Sequence, residues 1–287
     1  MHSSAKVETV HALRDSIAGA RAKGLTIGLV PTMGALHKGH ISLIQYARAE
    51  TGYVIVSIFV NPTQFGPDED LARYPHPLEQ DLAICADEHV DLVFVPDVAT
   101  VYPPGFQTYV EVEELQKVLC GQSRPGHFRG VATVVLKLFN MVQPDIAYFG
   151  QKDGQQARII QQMVRDLNVP VEIRVCPIIR EPDGLALSSR NQYLDPQQRR
   201  QATVLYRALE SARRLVEAGE RDASTLVGAM KELILRVGGA TIDYVAIVDA
   251  DSLEPVQQLQ GTVMLALAVK FGDTRLIDNL RLSIPPR

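Results

Sequence analysis

The chain has 287 residues, 46% of them hydrophobic and 22% charged, with a formal net charge of −4. At roughly 150 residues per domain this length predicts two domains with ample apolar material for a core, and the acidic balance speaks against a nucleic-acid partner, which a basic excess or stripe would mark. The three cysteines, Cys85, Cys120 and Cys176, are odd in number and far apart, which argues against a disulfide framework or a zinc knuckle and leaves buried apolar thiols.

The opening MHSSAKVETVHALRDSIAGARAKG is polar and amphipathic rather than a signal peptide. The longest apolar runs, such as Val263–Val269, fall short of the ~20 residues a membrane span needs. These features point to a cytoplasmic enzyme with no membrane partner. Thr26–Val30 predicts a buried strand and Ile41–Ala49 an amphipathic helix. The unbroken β-branched run Tyr53–Val60 predicts an internal parallel strand. A helix is expected over Leu78–His89 and a strand at Asp91–Val95. Val131–Gln143 suits helix or strand by composition; its length favours a buried helix. Asp145–Gly150 predicts a strand, Gly154–Leu167 a helix and Val171–Cys176 a strand. Strands alternating with helices of this length give βαβ units and a doubly wound parallel sheet.

Beyond Cys176 the pattern changes. Asp195-Pro196 reads as an N-cap with proline at the first helical position. One long helix is expected over Pro196–Ala218 and another over Ala223–Val237. Strands are expected at Thr241–Asp249, Thr262–Phe271 and Thr274–Leu280. The division is therefore a doubly wound α/β domain at 1–178 and a smaller α+β domain at 179–287.

Five segments carry groups suited to chemistry. Pro31–His40, PTMGALHKGH, joins a strand to a helix, where α/β sheets bind ligands. Gly34 and Gly39 let the backbone approach a phosphate, and the helix N-terminus offers N–H groups and partial positive charge. His37 and His40 stand one turn apart, so both can donate to one phosphate chain. HKGH resembles the H-x-G-H signature of the nucleotidylyltransferase superfamily. Ser57–Pro75 follows the next strand and places Asn61 and Gln64 where amides can hold a small hydroxy acid. Gly121–Val135 is locally basic through Arg124, His127 and Arg129; anion binding and a merely solvated loop are both open there. Phe149–Gln156 offers Lys152 to phosphates and Asp153 to ribose hydroxyls. Arg180–Asn191 presents a Pro182-Asp183-Gly184 turn, then Ser188, Ser189 and Arg190 for a triphosphate.

Taken in order, VPTMGALHKGH, SIFVNPTQF, DLARYP, RPGHFRGV, FGQKD with its following QQ, and DGLALSSRN resemble the pantoate–β-alanine ligase family. The match runs over about Gly28–Leu194 and continues more weakly through RLIDN at Arg275–Asn279. The resemblance implies a Rossmann-like catalytic domain, a smaller C-terminal lid domain, a homodimer, and ATP with Mg²⁺. It implies ATP binding by Met33, Gly34, Ala35, Leu36, His37, Lys38, Gly39 and His40, by Gly150, Gln151, Lys152 and Asp153, by Ile179, and by Leu187, Ser188, Ser189 and Arg190. His40, His37, Lys152 and Arg190 would be catalytic. Gln64 and Gln156 would hold pantoate, with Asn61 beside them and Gln64 also meeting β-alanine. Asp81 would contact Mg²⁺. The chain departs from the family pattern at Thr63, Gln151 and Gly154, where methionine, glutamate and an aromatic are usual. None of these departures deletes a group assigned to chemistry.

The implied reaction activates pantoate as an acyl-adenylate and passes it to β-alanine, releasing pyrophosphate and AMP. Three alternatives make different predictions. Another H-x-G-H nucleotidylyltransferase would use a phosphorylated substrate and release no AMP. A tRNA-binding, synthetase-like protein would need a basic surface. A non-catalytic ATP-binding module would show no pantoate-dependent pyrophosphate release.

Overall fold

The computed structural model describes residues 4–67 and 69–285. In chain order the elements are β1 (Ala5–Val7), α1 (Val10–Arg21), β2 (Ile27–Thr32), α2 (Lys38–Glu50), β3 (Tyr53–Ile58), α3 (Leu78–Asp87), β4 (Leu92–Phe94), α4 (Val98–Val101), α5 (Cys120–Ser123), α6 (His127–Val142), β5 (Ile146–Gly150), α7 (Gly154–Asp166), β6 (Glu172–Cys176), α8 (Pro196–Ala202), α9 (Val204–Glu217), α10 (Ala223–Leu235), β7 (Ala240–Asp249), β8 (Gly261–Phe271) and β9 (Thr274–Ile284). Short 3-10 turns lie at Pro62–Gln64, Asp70–Arg73, Gln151–Asp153 and Ser189–Tyr193.

The chain divides into two compact units. The first comprises the chain through Gln116 together with Arg124–Gln151 and Gln156–Pro177; the second comprises Lys117–Ser123, Lys152–Gln155 and the chain from Ile178 onward. The two short excursions into the second unit have no counterpart in the hydrophobic pattern of the sequence.

In the first unit a six-stranded parallel sheet runs in the order β1-β4-β3-β2-β5-β6. Side chains along its strands alternate between two cores, as the two-residue period of a strand requires. Ile27, Leu29, Ile55, Leu92, Phe94 and Phe149 share one core with Leu13 and Ile17 of α1, Val135 and Leu138 of α6, and Ile160 and Met163 of α7. Val30, Val54, Val56, Val93 and Tyr148 share the other with Leu43, Ile44 and Ala47 of α2 and Cys85 of α3. Cover on both faces is why β2 and β3 read as unbroken apolar runs. The winding goes outward from β2 through β3 to β4, then returns to the far side of β2 for β5 and β6. It therefore reverses between β2 and β5, and ligands of such sheets bind beyond the strands' carboxyl ends at that reversal.

The second unit is α+β. Its sheet is antiparallel in the order β7-β8-β9. Ile247, Leu265, Leu267 and Val269 pack there against Leu205 and Leu209 of α9 and Leu226 and Met230 of α10. The fold is thus a Rossmann-like doubly wound parallel sheet with a smaller α+β C-terminal part. Among the described residues no helix is long and apolar enough to cross a membrane.

Local differences from the expected elements have physical causes. The opening, expected only to be polar and amphipathic, forms an edge strand and a helix capped by Thr9, whose side chain accepts the Ala12 N–H at 3.3 Å. The single helix expected over Pro196–Ala218 is two, joined at Thr203, whose hydroxyl donates to the Arg200 carbonyl at 2.8 Å; such back-bonding competes with the helical ladder. All three cysteines are free and buried. Burial pushes the Cys85 thiol up to about 12 and Cys176 up to about 11. Cys120 departs from the apolar expectation: its sulfur lies 3.2 Å from the Tyr244 hydroxyl and 3.3 Å from the Arg275 guanidinium.

Helix α6 lies directly on the Pro62–Gln64 turn. A Cβ on Gly130 would stand 2.4 Å from the Thr63 carbonyl oxygen and 2.7 Å from the Gln64 nitrogen. Both are backbone atoms and cannot swing aside. Gly130→Ala is therefore expected to lower the unfolding free energy by about 1–3 kcal/mol, measured by urea denaturation.

Candidate active site

The segment after β2 is shaped by one carboxylate. Gly34 and Ala35 both have positive φ, 82° and 50°. The left-handed turn is open to glycine at no steric cost, whereas at Ala35 it carries strain. The turn aims two successive amides at α3, where the Ala35 N–H donates to Asp81 Oδ2 at 2.9 Å and the Leu36 N–H to Asp81 Oδ1 at 2.7 Å. Asp81 is 1% exposed. Burial pushes its carboxyl above the usual range against the pull of those two amides. Thr32 closes the root of the turn: its hydroxyl donates to the Ser57 carbonyl at 2.8 Å and accepts the Gly34 N–H at 3.2 Å.

Helix α2 begins at Lys38, so His37 is its N-cap and His40 sits in its first turn. The His37 Nδ1 accepts the Gly39 N–H at 3.1 Å, and the His37 N–H donates to Nδ1 of His40 at 3.3 Å. Two imidazoles thus form the reciprocal capping arrangement usually made by Ser/Thr and Glu/Gln. A ring nitrogen that accepts carries no proton, so each neutral ring holds its proton on Nε2. The ring centroids are 4.2 Å apart and the planes tilt by 38°. Met33 is half-buried ahead of this pair, and Lys38 is exposed.

Asn61 and Gln64 flank the 3-10 turn after β3, and the structure separates their roles. Asn61 is 1% exposed. Its Nδ2 donates to Gln64 Oε1 at 3.0 Å and to the Gly130 carbonyl at 3.2 Å. Its Oδ1 accepts from Thr63 Oγ1 at 2.9 Å and from the Tyr102 hydroxyl at 2.8 Å. Asn61, expected among the substrate contacts, therefore has its amide engaged within the protein and orients Gln64. That leaves Gln64 Nε2 as the donor end, 3.2 Å from the Met33 sulfur.

The basic segment at Arg124 is neutralised rather than solvated. Arg124 forks onto Glu69, with both contacts at 2.6 Å, and its third nitrogen lies 2.9 Å from His127 Nε2. His127 Nδ1 lies 2.8 Å from the Gln64 carbonyl, so that nitrogen carries the proton and donates. A chain of contacts from Glu69 through Arg124 and His127 thus ends on the backbone of Gln64.

The second unit carries the other expected groups. Lys152 and Asp153 lie in the 3-10 turn after Gly150 and Gln151, 3.5 Å apart. Gln155, given no role in the sequence reading, accepts the Cys120 N–H at 3.0 Å and donates to the Val118 carbonyl at 2.7 Å. Gln156, half-buried one residue later, belongs to the first unit. Ile179 and Leu187 face each other across a tight hairpin, the Leu187 N–H donating to the Ile179 carbonyl at 3.0 Å. The Pro182–Gly184 turn closes it. Ser188 then caps the Ser189–Tyr193 turn by accepting the Arg190 N–H at 3.3 Å. Ser189 and Arg190 are half-buried.

Asp81, expected to contact Mg²⁺, is enclosed, and each of its oxygens accepts a loop amide. Among the described residues no three His, Cys, Asp or Glu side chains gather as a metal cage. Sequence reasoning also missed Glu69, Tyr102, Gln155, Asp278 and Asn279. None sits in a recognisable glycine- or histidine-rich pattern, and the last two show only as part of the weaker RLIDN resemblance.

Residues 5–281 match the model of the family described as Pantoate-beta-alanine ligase. The pantothenate synthetase of Moorella thermoacetica is 59% identical over 278 residues, covering 97% of this chain and 98% of that relative. That of Acetivibrio thermocellus is 54% identical over 274 residues, covering 96% and 98%. The crystal structure of the pantothenate synthetase from Thermus thermophilus aligns with a TM-score of 0.92 at 46% identity, over 98% of this chain and 100% of that one. The pantoate-beta-alanine ligase of Francisella tularensis, complexed with beta-gamma ATP and beta-alanine, aligns with a TM-score of 0.78 at 38% identity over 97% of each chain.

The Glu69 contact gives a pH signature. Burial pushes its carboxyl up, but Arg124, the Gly66 amide and His127 together pull it below the usual range. A carboxyl lowered by folding contributes stability above its unfolded range and loses it as pH falls through the folded value. The stability difference between wild type and Glu69→Gln should be largest near neutrality and close below about pH 4, read from urea denaturation across pH. A difference that persists in acid would place the effect in packing instead.

Proposed function

The chain belongs to the pantoate-beta-alanine ligase family, and from that premise we propose that it condenses pantoate with β-alanine at the expense of ATP, through a pantoyl-adenylate. The observation that carries this reading is the paired-imidazole cap of α2 at the winding reversal of the sheet. Both rings are fixed with Nε2 as donor before any ligand arrives, which is what stabilising charge on a phosphate requires.

A pantoate carboxylate oxygen attacks the α-phosphorus of ATP; the bond to the β-phosphate breaks and pyrophosphate leaves. The neutral amine of β-alanine then attacks the acyl carbon. The C–N bond forms, the bond to AMP breaks, and the amine's proton is lost. No covalent bond to the protein is needed, so the residues position reactants and offset charge. We assign Met33–His40, Gly150–Asp153, Ile179 and Leu187–Arg190 to ATP, with His37, His40, Lys152 and Arg190 at the phosphates. Gln64 holds pantoate through Nε2, and Gln156 is its second amide. Asn61 acts one step back, by fixing the orientation of Gln64. Mg²⁺ is read as travelling with the triphosphate, its usual mode in nucleotide sites. From the family resemblance we also infer a homodimer acting in the cytoplasm.

The test is pyrophosphate and AMP release from ATP and Mg²⁺, with pantoate, with and without β-alanine. Pyrophosphate should require pantoate; AMP and sustained turnover should require β-alanine. No pantoate-dependent release, in protein that binds ATP, would point to another nucleotidylyltransferase or to a binding module. His40→Ala should slow single-turnover adenylation by about 10²–10³-fold, the scale for losing one preorganised donor.

Asp81→Asn keeps the size of the side chain but turns one acceptor into a donor facing an amide. Leaving a buried N–H unpaired costs about 1–3 kcal/mol, or roughly 5–150-fold. The KM for ATP should rise within that range, and added Mg²⁺ should not restore it. Recovery with Mg²⁺ would assign Asp81 to the metal.

A further inference from the structure

Asp278 and Asn279 are neighbours on β9, 2% and 4% exposed. Successive residues of a strand point to opposite faces, and these two reach different segments of the second unit. Asp278 takes the Arg180 guanidinium as a fork, at 2.6 and 2.9 Å, and also accepts the Asn279 N–H at 2.8 Å. Arg180 also donates to the Gly184 carbonyl at 3.0 Å and lies 4.5 Å over the Tyr206 ring. The carboxylate thereby fixes the root and the turn of the hairpin that leads into Leu187–Arg190. Asn279 Nδ2 donates to the Lys152 carbonyl at 3.0 Å, pinning the turn from which the Lys152 side chain extends.

Stability alone gives a poor reason for this arrangement. A buried ion pair is often matched or exceeded by apolar residues of the same volume, and β9 otherwise supplies such residues to the core, as Leu276 and Ile284 do. Two adjacent buried polar side chains, each on a different segment, instead fix where those segments stand relative to one strand.

We propose that Asp278 and Asn279 are positioning residues for the nucleotide: β9 sets the Lys152 turn and the Leu187–Arg190 segment in register with each other. The proposal rests on the assignment of those segments to ATP. Neither residue itself touches the nucleotide.

The test is a double-mutant cycle of Asn279→Ala and Lys152→Ala in the full-length enzyme, with KM for ATP and for pantoate and the single-turnover adenylation rate as readouts. Losing one neutral hydrogen bond should raise the KM for ATP roughly 3–10-fold, with the KM for pantoate within about twofold of wild type. In the Lys152→Ala background the same substitution should have almost no further effect, because it acts through Lys152. Folded Asp278→Asn should likewise raise the KM for ATP and spare that for pantoate; if it does not fold, the Asn279 cycle decides. Equal effects of Asn279→Ala in both backgrounds would show a general structural role and overturn the proposal. An unchanged KM for ATP in Asn279→Ala, beside an impaired Lys152→Ala, would overturn the positioning alone. Normal ATP kinetics in Lys152→Ala would remove the ATP assignment and the proposal with it.

Discussion

A backbone N–H withdrawn from water must find an acceptor, and the segment after β2 meets that demand with a carboxylate supplied by another element. Asp81 reaches from α3 to the amides of Ala35 and Leu36. This contact lets Ala35 remain in a left-handed conformation that alanine disfavours. The turn so fixed delivers the chain to His37 as an N-cap, and only from that position can the His37 and His40 rings cap each other's backbone. Removing the carboxylate would leave two buried amides unpaired at the root of the site.

The same economy of partners governs the imidazoles and amides. A side chain whose acceptor is held by an N–H of the protein, from the backbone for His37 and His40 and from the Asn61 side chain for Gln64, has only one way to present its donor. This is how His37, His40 and Gln64 acquire defined donor ends without a ligand. Thr63 belongs to this scheme: its hydroxyl donates to Asn61 Oδ1 and lies 3.1 Å from the Tyr102 hydroxyl. Thr63, read in the sequence as a departure from the family pattern, thereby joins the network around Gln64. No comparable reason attaches to Gln151 or Gly154.

The basic look of RPGHFR is likewise resolved by pairing. Glu69, 55 positions earlier in the chain, takes up the Arg124 guanidinium, and His127 passes the constraint to the Gln64 backbone. In the second unit Asp278 and Arg180 form an equivalent pair. In both places a charge that suggests ligand binding in one dimension is spent on holding a neighbouring segment still, which is what a precise site requires of its supporting residues.

The sequence by itself determined the layered α/β fold, because continuous apolar strands and amphipathic helices follow from burial on two faces or one. It also determined where the chemistry-bearing segments begin, since glycines and histidines after a strand are local signals. Helix ends were less legible: α6 begins four residues before the expected Val131, and the helix expected from Pro196 breaks at Thr203, because turn and hydroxyl contacts override periodicity. Only the tertiary structure decided which polar residues are available to a ligand and which are held within the protein. Asp81 and Asn61, read as site residues in the sequence, are buried and hydrogen-bonded to neighbouring segments; Asp278 and Asn279 look like ordinary strand residues and bond two other segments. The physical reason is that a hydrogen-bond partner 46 or 127 positions away leaves no periodic trace in the chain, yet it decides whether a buried polar atom has anything left to offer.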